Sequence, residues 1–306
     1  MEASTIVLER KAAYVDHDRL FKELIQAFFK EFMEVFFPKE HAYINYSTVK
    51  FLEQEVFTDI VKGEKRRIDI LAEVNLKGED KIVLIHIEPQ SYYQEEFHER
   101  MFIYCSRLYE KHRKPILPIG VFSYNNSKEV STEFNMHFPT LIVLQFQYLQ
   151  LHLIKLNWRE YIRSDNPVAA ALLSKMGYQE HERVQIKMEF LRMLSRMELN
   201  PAKMELIYGF FETYLKLSRE EEEKMRKEIE KLPEEEADRI LELPNSYREE
   251  GREEGREEGM EIGIQRGKEQ MVMQMLKKRL ADDLIADIAG LSVMKVREMR
   301  KRLDEG

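Results

Sequence analysis

The stretch from Arg66 to Gln90 constrains this chain most: two apolar runs separated by the turn-forming residues Lys77-Gly78-Glu79-Asp80. In the first run Ile68, Ile70, Ala72 and Val74 recur at every second residue, the period of a half-buried β-strand. The second, Ile82-Val83-Leu84-Ile85, is continuously apolar, as in a strand covered on both faces. A glycine-containing turn between two such runs makes a β-hairpin. That hairpin carries two acids: Asp69 faces away from the apolar set of its strand, and Glu88 follows the second run, with Pro89 and Gln90 behind it. Antiparallel pairing brings these ends together where the hairpin splays from its turn. A carboxylate there is unfavourable unless hydrated, paired or bound to a cation. Two hard oxygen ligands suit Mg²⁺ or Mn²⁺, which keep water in their remaining positions. Such an ion acidifies a bound water and stabilises charge on a phosphoryl group. The simpler alternative is two strand-end acids in solvent.

Composition sets outer limits. Apolar residues make up 43% of 306, enough for a sizeable core, and charged residues 34%, which points to long solvated helices. A net charge of −8 excludes a general polyanion binder, so any nucleic-acid contact needs a local basic surface. The single cysteine, Cys105, allows no intrachain disulfide and fits a reducing, cytoplasmic setting. No apolar run approaches the ~20 residues that span a bilayer. The first residues lack the pattern of a signal peptide, so no membrane association is expected.

Before the hairpin, residues 16–37 read as one helix with a wide aromatic face, stopped by Pro38. Residues 47–57 read as a strand. After the hairpin, 94–113 look helical, with Cys105 in their apolar pattern, and Ile116 to Tyr124 reads as a strand. A β-rich run follows over 139–156. From Trp158 the pattern is helical, with helices expected over 167–177, 180–198, 201–217 and 219–231 and no strand after 156. The expected domains are an α/β domain over 1–156, a helical extension 157–246 and a tail 247–306.

The tail repeats Arg-Glu-Glu-Gly over 248–259, with glycines at Gly251, Gly255, Gly259, Gly263 and Gly267. Each costs a helix about 1 kcal/mol relative to Ala. The stripe would let two helices approach closely, which suggests a homo-oligomer through the tail; a charged linker is the alternative. Beyond it, Asp282 to Ala289, Gly290-Leu291 and Ser292 to Arg302 resemble a helix-turn-helix. Its second helix carries Lys295, Arg297, Arg300, Lys301 and Arg302, cations suited to phosphates. A helical hairpin that packs on a partner fits the pattern as well.

Asp69, eighteen intervening residues, then Glu88-Pro89-Gln90, on an order α, β, β, β, α, β, resembles the PD-(D/E)xK nuclease superfamily. More narrowly the chain is similar to the Rpn recombination-promoting nucleases, also called YhgA-like putative transposases, where glutamine is usual at the third motif position. The resemblance covers residues 14–125 and extends to the strand, helices and Gly-repeat tail of long members. It implies an α/β, restriction-endonuclease-like αβββαβ core with a mixed sheet, followed by an all-helical C-terminal half. It further implies Asp69 and Glu88 as metal ligands, the backbone carbonyl of Pro89 as a third, and Mg²⁺ or Mn²⁺ as cofactor. Gln90 stands where the superfamily's lysine orients the attacking water or the scissile phosphate. Glutamine hydrogen-bonds but cannot offset developing charge. Pro89 lacks an amide hydrogen, which implies a strand end or a bulge.

The activity so implied is metal-dependent hydrolysis of DNA phosphodiester bonds, linked to recombination or mobile elements. Glu23, Glu53, Glu55 and His86 are further candidates for the site, and Arg66, Arg67, Arg100 and Arg107 for phosphate contact. Glu23 equally suits a solvated helix face and His86 a satisfied core histidine. Phosphate-loop, zinc-finger and serine-hydrolase patterns are absent. Two alternatives remain: a catalytically weak nuclease fold acting as a DNA-binding or self-assembly module, and a filament-like coiled protein, against which the apolar N-terminal half argues.

Overall fold

The computed structural model describes residues 17–53, 56–58, 65–67, 70–126, 128–243 and 270–304; of 56–58, 65–67 and 302–304 only the backbone is described. Asp69, Ile68, Glu55 and the glycine repeat lie outside the described residues. The chain divides into two compact units, Met1–Leu243 and Pro244–Gly306.

The first unit is α/β. It opens on α1 (His17–Ala27), α2 (Phe29–Phe36) and α3 (Pro38–His41), then β1 (Ile44–Phe51), β2 (Val56–Thr58), β3 (Lys65–Arg67), β4 (Ile70–Leu76) and β5 (Ile82–Gln90). Helix α4 (Phe97–His112) leads into β6 (Ile116–Phe122), β7 (Glu133–Phe138), β8 (Leu141–Gln147) and β9 (Leu149–His152). Five strands form a mixed sheet in the order β1-β4-β5-β6-β9. The hairpin read from the sequence is its centre: β4 pairs antiparallel with β5, from Asn75 opposite Ile82 to Ile70 opposite Ile87. Gly78 in the turn between them has φ of 75°, which favours glycine. On its other edge β5 runs parallel to β6, and β6 parallel to β9. Up to β6, the elements around this sheet follow the order α, β, β, β, α, β.

Two expectations need correction, and one strand was not expected. The helix read over 16–37 is broken at Phe28, which has φ of −132°. Phe28, Phe29 and Phe32 are all buried. The strand read over 47–57 is two, β1 and β2, and among the described residues β2 pairs only with β3. The run read over 139–156 holds β8 and β9 as expected, and the strand missed is β8's partner β7, where Glu-Phe-Asn-Met-His-Phe alternates polar and apolar residues over only six positions.

The helical half comprises α5 (Pro167–Leu172), α6 (Arg183–Ser195), α7 (Pro201–Tyr214), α8 (Arg219–Ile229) and α9 (Glu234–Leu241). It packs on the first helices. Phe21 meets Phe210 edge to face at 5.0 Å, and Asn166 Nδ2 donates to the Glu31 carbonyl at 2.9 Å. Asn166 also caps α5 by accepting from the amides of Val168 and Ala169. Every residue of α5 is buried.

In the second unit residues 270–277 (α10) are helical, followed by α11 (Asp282–Ala289) and α12 (Val293–Asp304). Val272, Leu276, Ile285, Ala286, Ala289 and Val296 form its core. Gly290, at φ of 62°, ends α11, and the Ser292 hydroxyl accepts from the Lys295 amide. No helix among the described residues is long and apolar enough to cross a membrane.

Candidate functional site

The site candidates on β5 follow from strand alternation. Leu84, His86, Glu88 and Gln90 share one face, with Ile85 and Ile87 on the other. β5 is buried without interruption from Leu84 to Gln90, so both faces are covered, as its continuous apolar run implies. Leu84 clusters with Tyr104 and Leu108 of α4, which identifies α4 as the cover of the His86–Glu88–Gln90 face.

Helix α4 contributes Arg100. Its Nη2 donates to Gln90 Oε1 at 2.5 Å and lies 3.4 Å from Glu88 Oε1, while Nη1 donates to Gln94 Oε1 at 2.6 Å. The guanidinium carbon sits 4.8 Å from the Phe97 ring centroid and 6.0 Å from that of Tyr104, within cation–π range. His86 Nε2 approaches Glu88 Oε2 at 3.3 Å, and its ring meets Tyr104 edge to face at 5.8 Å. Glu88, 4% exposed, is therefore buried with a guanidinium against one oxygen and an imidazole against the other. Gln90 is fixed at both ends, since its Nε2 donates to the Tyr92 carbonyl at 2.8 Å. His86 Nδ1 and Arg100 Nε are buried without a hydrogen-bond partner among the described residues.

Pro89 sits one residue before the end of β5, and no bulge interrupts the pairing with β6, which runs from Leu84 opposite Ile116 to Gln90 opposite Phe122. Of the two sequence options, the strand end is the one found. The Leu84 amide donates to the Pro115 carbonyl, and the Gln90 carbonyl accepts from the Ser123 amide. Even-numbered residues of β5 thus bond toward β6, and alternation turns the Pro89 backbone toward the β4 side. There the described pairing stops at Ile70 opposite Ile87. The missing N–H removes no bond to β6.

Gly120 of β6 lies opposite Glu88. A Cβ there would stand 2.9 Å from Phe97 Cε1 and 3.2 Å from Phe122 Cζ and Tyr148 Cε2. The bare backbone lets Phe97, at the start of α4, settle on the sheet and so sets where Arg100 enters. A lone glycine inside an apolar strand is the sequence signal of such a close approach, and sequence reasoning passed it over, as it did the Gln94 and Tyr104 contacts.

The other candidates scatter. Glu23 is exposed on α1 and faces Arg19 at 3.6 Å, and Glu53 is exposed after β1. Arg107 lies half-buried on α4, about two turns beyond Arg100. Arg66 and Arg67 are on β3, where only the backbone is described. On α12, Arg300 Nε donates to Asp282 at 2.8 Å and Nη2 to the Leu280 carbonyl at 2.7 Å, so it pins α12 to α11. Cys105 is half-buried, and burial pushes its thiol up to about 11. No group of three or more metal-ligating side chains assembles among the described residues. Glu88 and the Pro89 carbonyl are hard oxygen donors of the type Mg²⁺ accepts, and Asp69 directly precedes Ile70 in the sequence.

A family described as "Putative transposase, YhgA-like" matches residues 15–197, well over half of the 306-residue chain. The chain belongs to the YhgA-like putative transposase family. The YhgA-like match takes in the whole five-stranded sheet and α4 and continues through α5 and α6. No curated protein and no solved structure matches the chain.

Proposed function

We propose that this YhgA-like chain is a metal-dependent endonuclease that hydrolyses DNA phosphodiester bonds. The observation that carries the reading is a glutamate and a glutamine, two residues apart, buried on the central strand of the αβββαβ sheet in a chain of a transposase family. Asp69, Glu88 and the Pro89 carbonyl would hold Mg²⁺ or Mn²⁺. When bound, the ion supplies an acidified water and positive charge toward the phosphoryl oxygens. Glu88 offers a fixed carboxylate, because Arg100 and His86 hold its two oxygens in place. Gln90 keeps one amide hydrogen beyond that given to Tyr92, which suits it to orient a water or a phosphate oxygen. Arg100 supplies the cation that a glutamine cannot, 2.5 Å from the Gln90 oxygen.

The test is nicking of supercoiled plasmid by purified protein with Mg²⁺ or Mn²⁺. Wild type cuts, whereas Asp69→Ala and Glu88→Ala do not. Equal cleavage by all three removes the nuclease from this site. A second reading, a DNA-binding module without turnover, is favoured by the guanidinium already seated on Glu88 and Gln90. Retained DNA binding with no heat of Mn²⁺ binding in calorimetry would select it.

A further inference from the structure

The hairpin β7–β8 stands apart from the main sheet, and each of its strands pairs only with the other among the described residues. Its base is anchored. Phe134 stacks on Phe102 of α4 at 5.2 Å, and Phe146 meets the same ring at 5.7 Å. Beyond that base the ribbon projects. Leu141, Ile142 and Val143 are consecutive and 63%, 61% and 59% exposed, so both faces of the tip are open. Phe138, opposite Leu141, is 64% exposed, and Met136 adds to the patch. Folding alone gives no reason to leave five large apolar side chains in water at the end of a two-stranded ribbon, an element of marginal stability by itself.

The chemistry of the ribbon narrows its occupant. No Lys or Arg occurs between Lys128 and Lys155, and Glu129 and Glu133 are the only charged acids there. Phosphate groups of nucleic acid or anionic lipid therefore find no cation on it. A complementary surface is apolar and offers an open strand edge, and the ribbon itself has both. Two ribbons related by a dyad satisfy the same need in each copy, as an isologous interface requires. The exposed apolar side chains amount to on the order of 500 Å² per copy, which strand pairing along an open edge extends toward the ~800 Å² per partner of a stable interface. We propose that the β7–β8 ribbon docks on the same ribbon of a second copy of this chain, through Phe138, Leu141, Ile142 and Val143.

The experiment uses the full chain. Sedimentation equilibrium of wild type gives a dimer or a multiple of one, and Phe138→Ser with Ile142→Asp halves that mass. Both side chains are exposed, so the circular dichroism spectrum of the folded chain stays unchanged while its melting temperature loses the concentration dependence seen in wild type. Amide exchange over residues 133–147 is slower at about 100 μM than at about 1 μM in wild type and independent of concentration in the variant, by mass action. That exchange difference identifies the ribbon even where the glycine-rich tail adds a contact of its own. A monomeric wild type, including one that instead co-sediments with phosphatidylcholine vesicles, overturns the proposal. Exchange over 133–147 that ignores concentration in wild type overturns it as well.

Discussion

Arg100 donates through Nη2 to the side-chain oxygen of Gln90 at 2.5 Å, and the same nitrogen stands 3.4 Å from Glu88. One helix side chain thereby holds two residues of the central strand. Arg100→Ala leaves Glu88 buried with His86 alone, and breaking a buried pair in this way costs about 3 kcal/mol. Chemical denaturation of wild type and variant measures it. Arg100→Lys recovers little, since an ammonium cannot reach Gln90, Gln94 and Glu88 at once. If Glu88 helps to hold a divalent ion, millimolar Mn²⁺ raises the melting temperature of Arg100→Ala more than that of wild type, because the ion no longer competes with the guanidinium. Equal stability of Arg100→Ala and wild type would refute the clamp.

Gly120→Ala places a methyl group 2.9 Å from the Phe97 ring, opposite Glu88. Overpacking of this kind costs ~1–3 kcal/mol. The rings of Phe97, Phe122 and Tyr148 crowd the position together, so the relief is a shift of the start of α4. The expected outcome is a lower unfolding midpoint together with shifted Arg100 and Gln90 side-chain resonances in NMR spectra. Lost stability with unmoved resonances would mean that Gly120 serves packing alone.

Asn166 ties the helical half to the first helices while capping α5. Asn166→Ala removes two capping bonds and leaves the part-buried Glu31 carbonyl without this donor, a loss of about 2 kcal/mol. Because Met1–Leu243 is one compact unit, tryptophan fluorescence from Trp158 and NMR signals of β5 residues should report the same lowered midpoint. Two separated transitions would contradict this.

Lys187 is buried among Phe190, Tyr208 and Phe211, with the Glu212 carboxylate against its ammonium. Burial pushes its pKa down to about 7. The unfolded chain holds that proton up to the ordinary lysine range near ~10.4. Between these values the unfolded state binds more protons, so this group's contribution to stability rises with pH. Wild type should therefore gain on Lys187→Met as pH is raised from about 7 to about 9, read as the difference in melting temperature. A difference that is flat or of opposite slope rejects the assignment.

The sheet's centre was legible because it rests on local patterns. The alternation in 70–76, the continuous run in 82–85 and the glycine turn between them suffice to fix β4, β5 and the face that carries Glu88 and Gln90. The ribbon was legible in part: β8 lies in the apolar run read as strand, whereas β7, though Glu-Phe-Asn-Met-His-Phe alternates polar and apolar residues with a strand's period, is short and half polar and went unread. The break at Phe28 was hidden for the opposite reason, since Phe28 and Phe29 both look like core. At the site, glutamate and glutamine stand out in an apolar strand, but Arg100 does not. An arginine on a helix reads as a surface charge, and its convergence on β5 depends on how Gly120 lets α4 settle.

The central strand has one further consequence, for the lengths this chain can tolerate. β5 is locked on both edges, antiparallel to β4 and parallel to β6. Side chains alternate with a period of two, so removal of a single residue between Ile82 and Ile87 would turn Glu88 and Gln90 to the isoleucine face, away from Arg100. The Lys77–Asp80 turn lies beyond both ladders, and added residues there leave the register intact. Related chains should therefore vary in length at that turn and hold it constant along the strand.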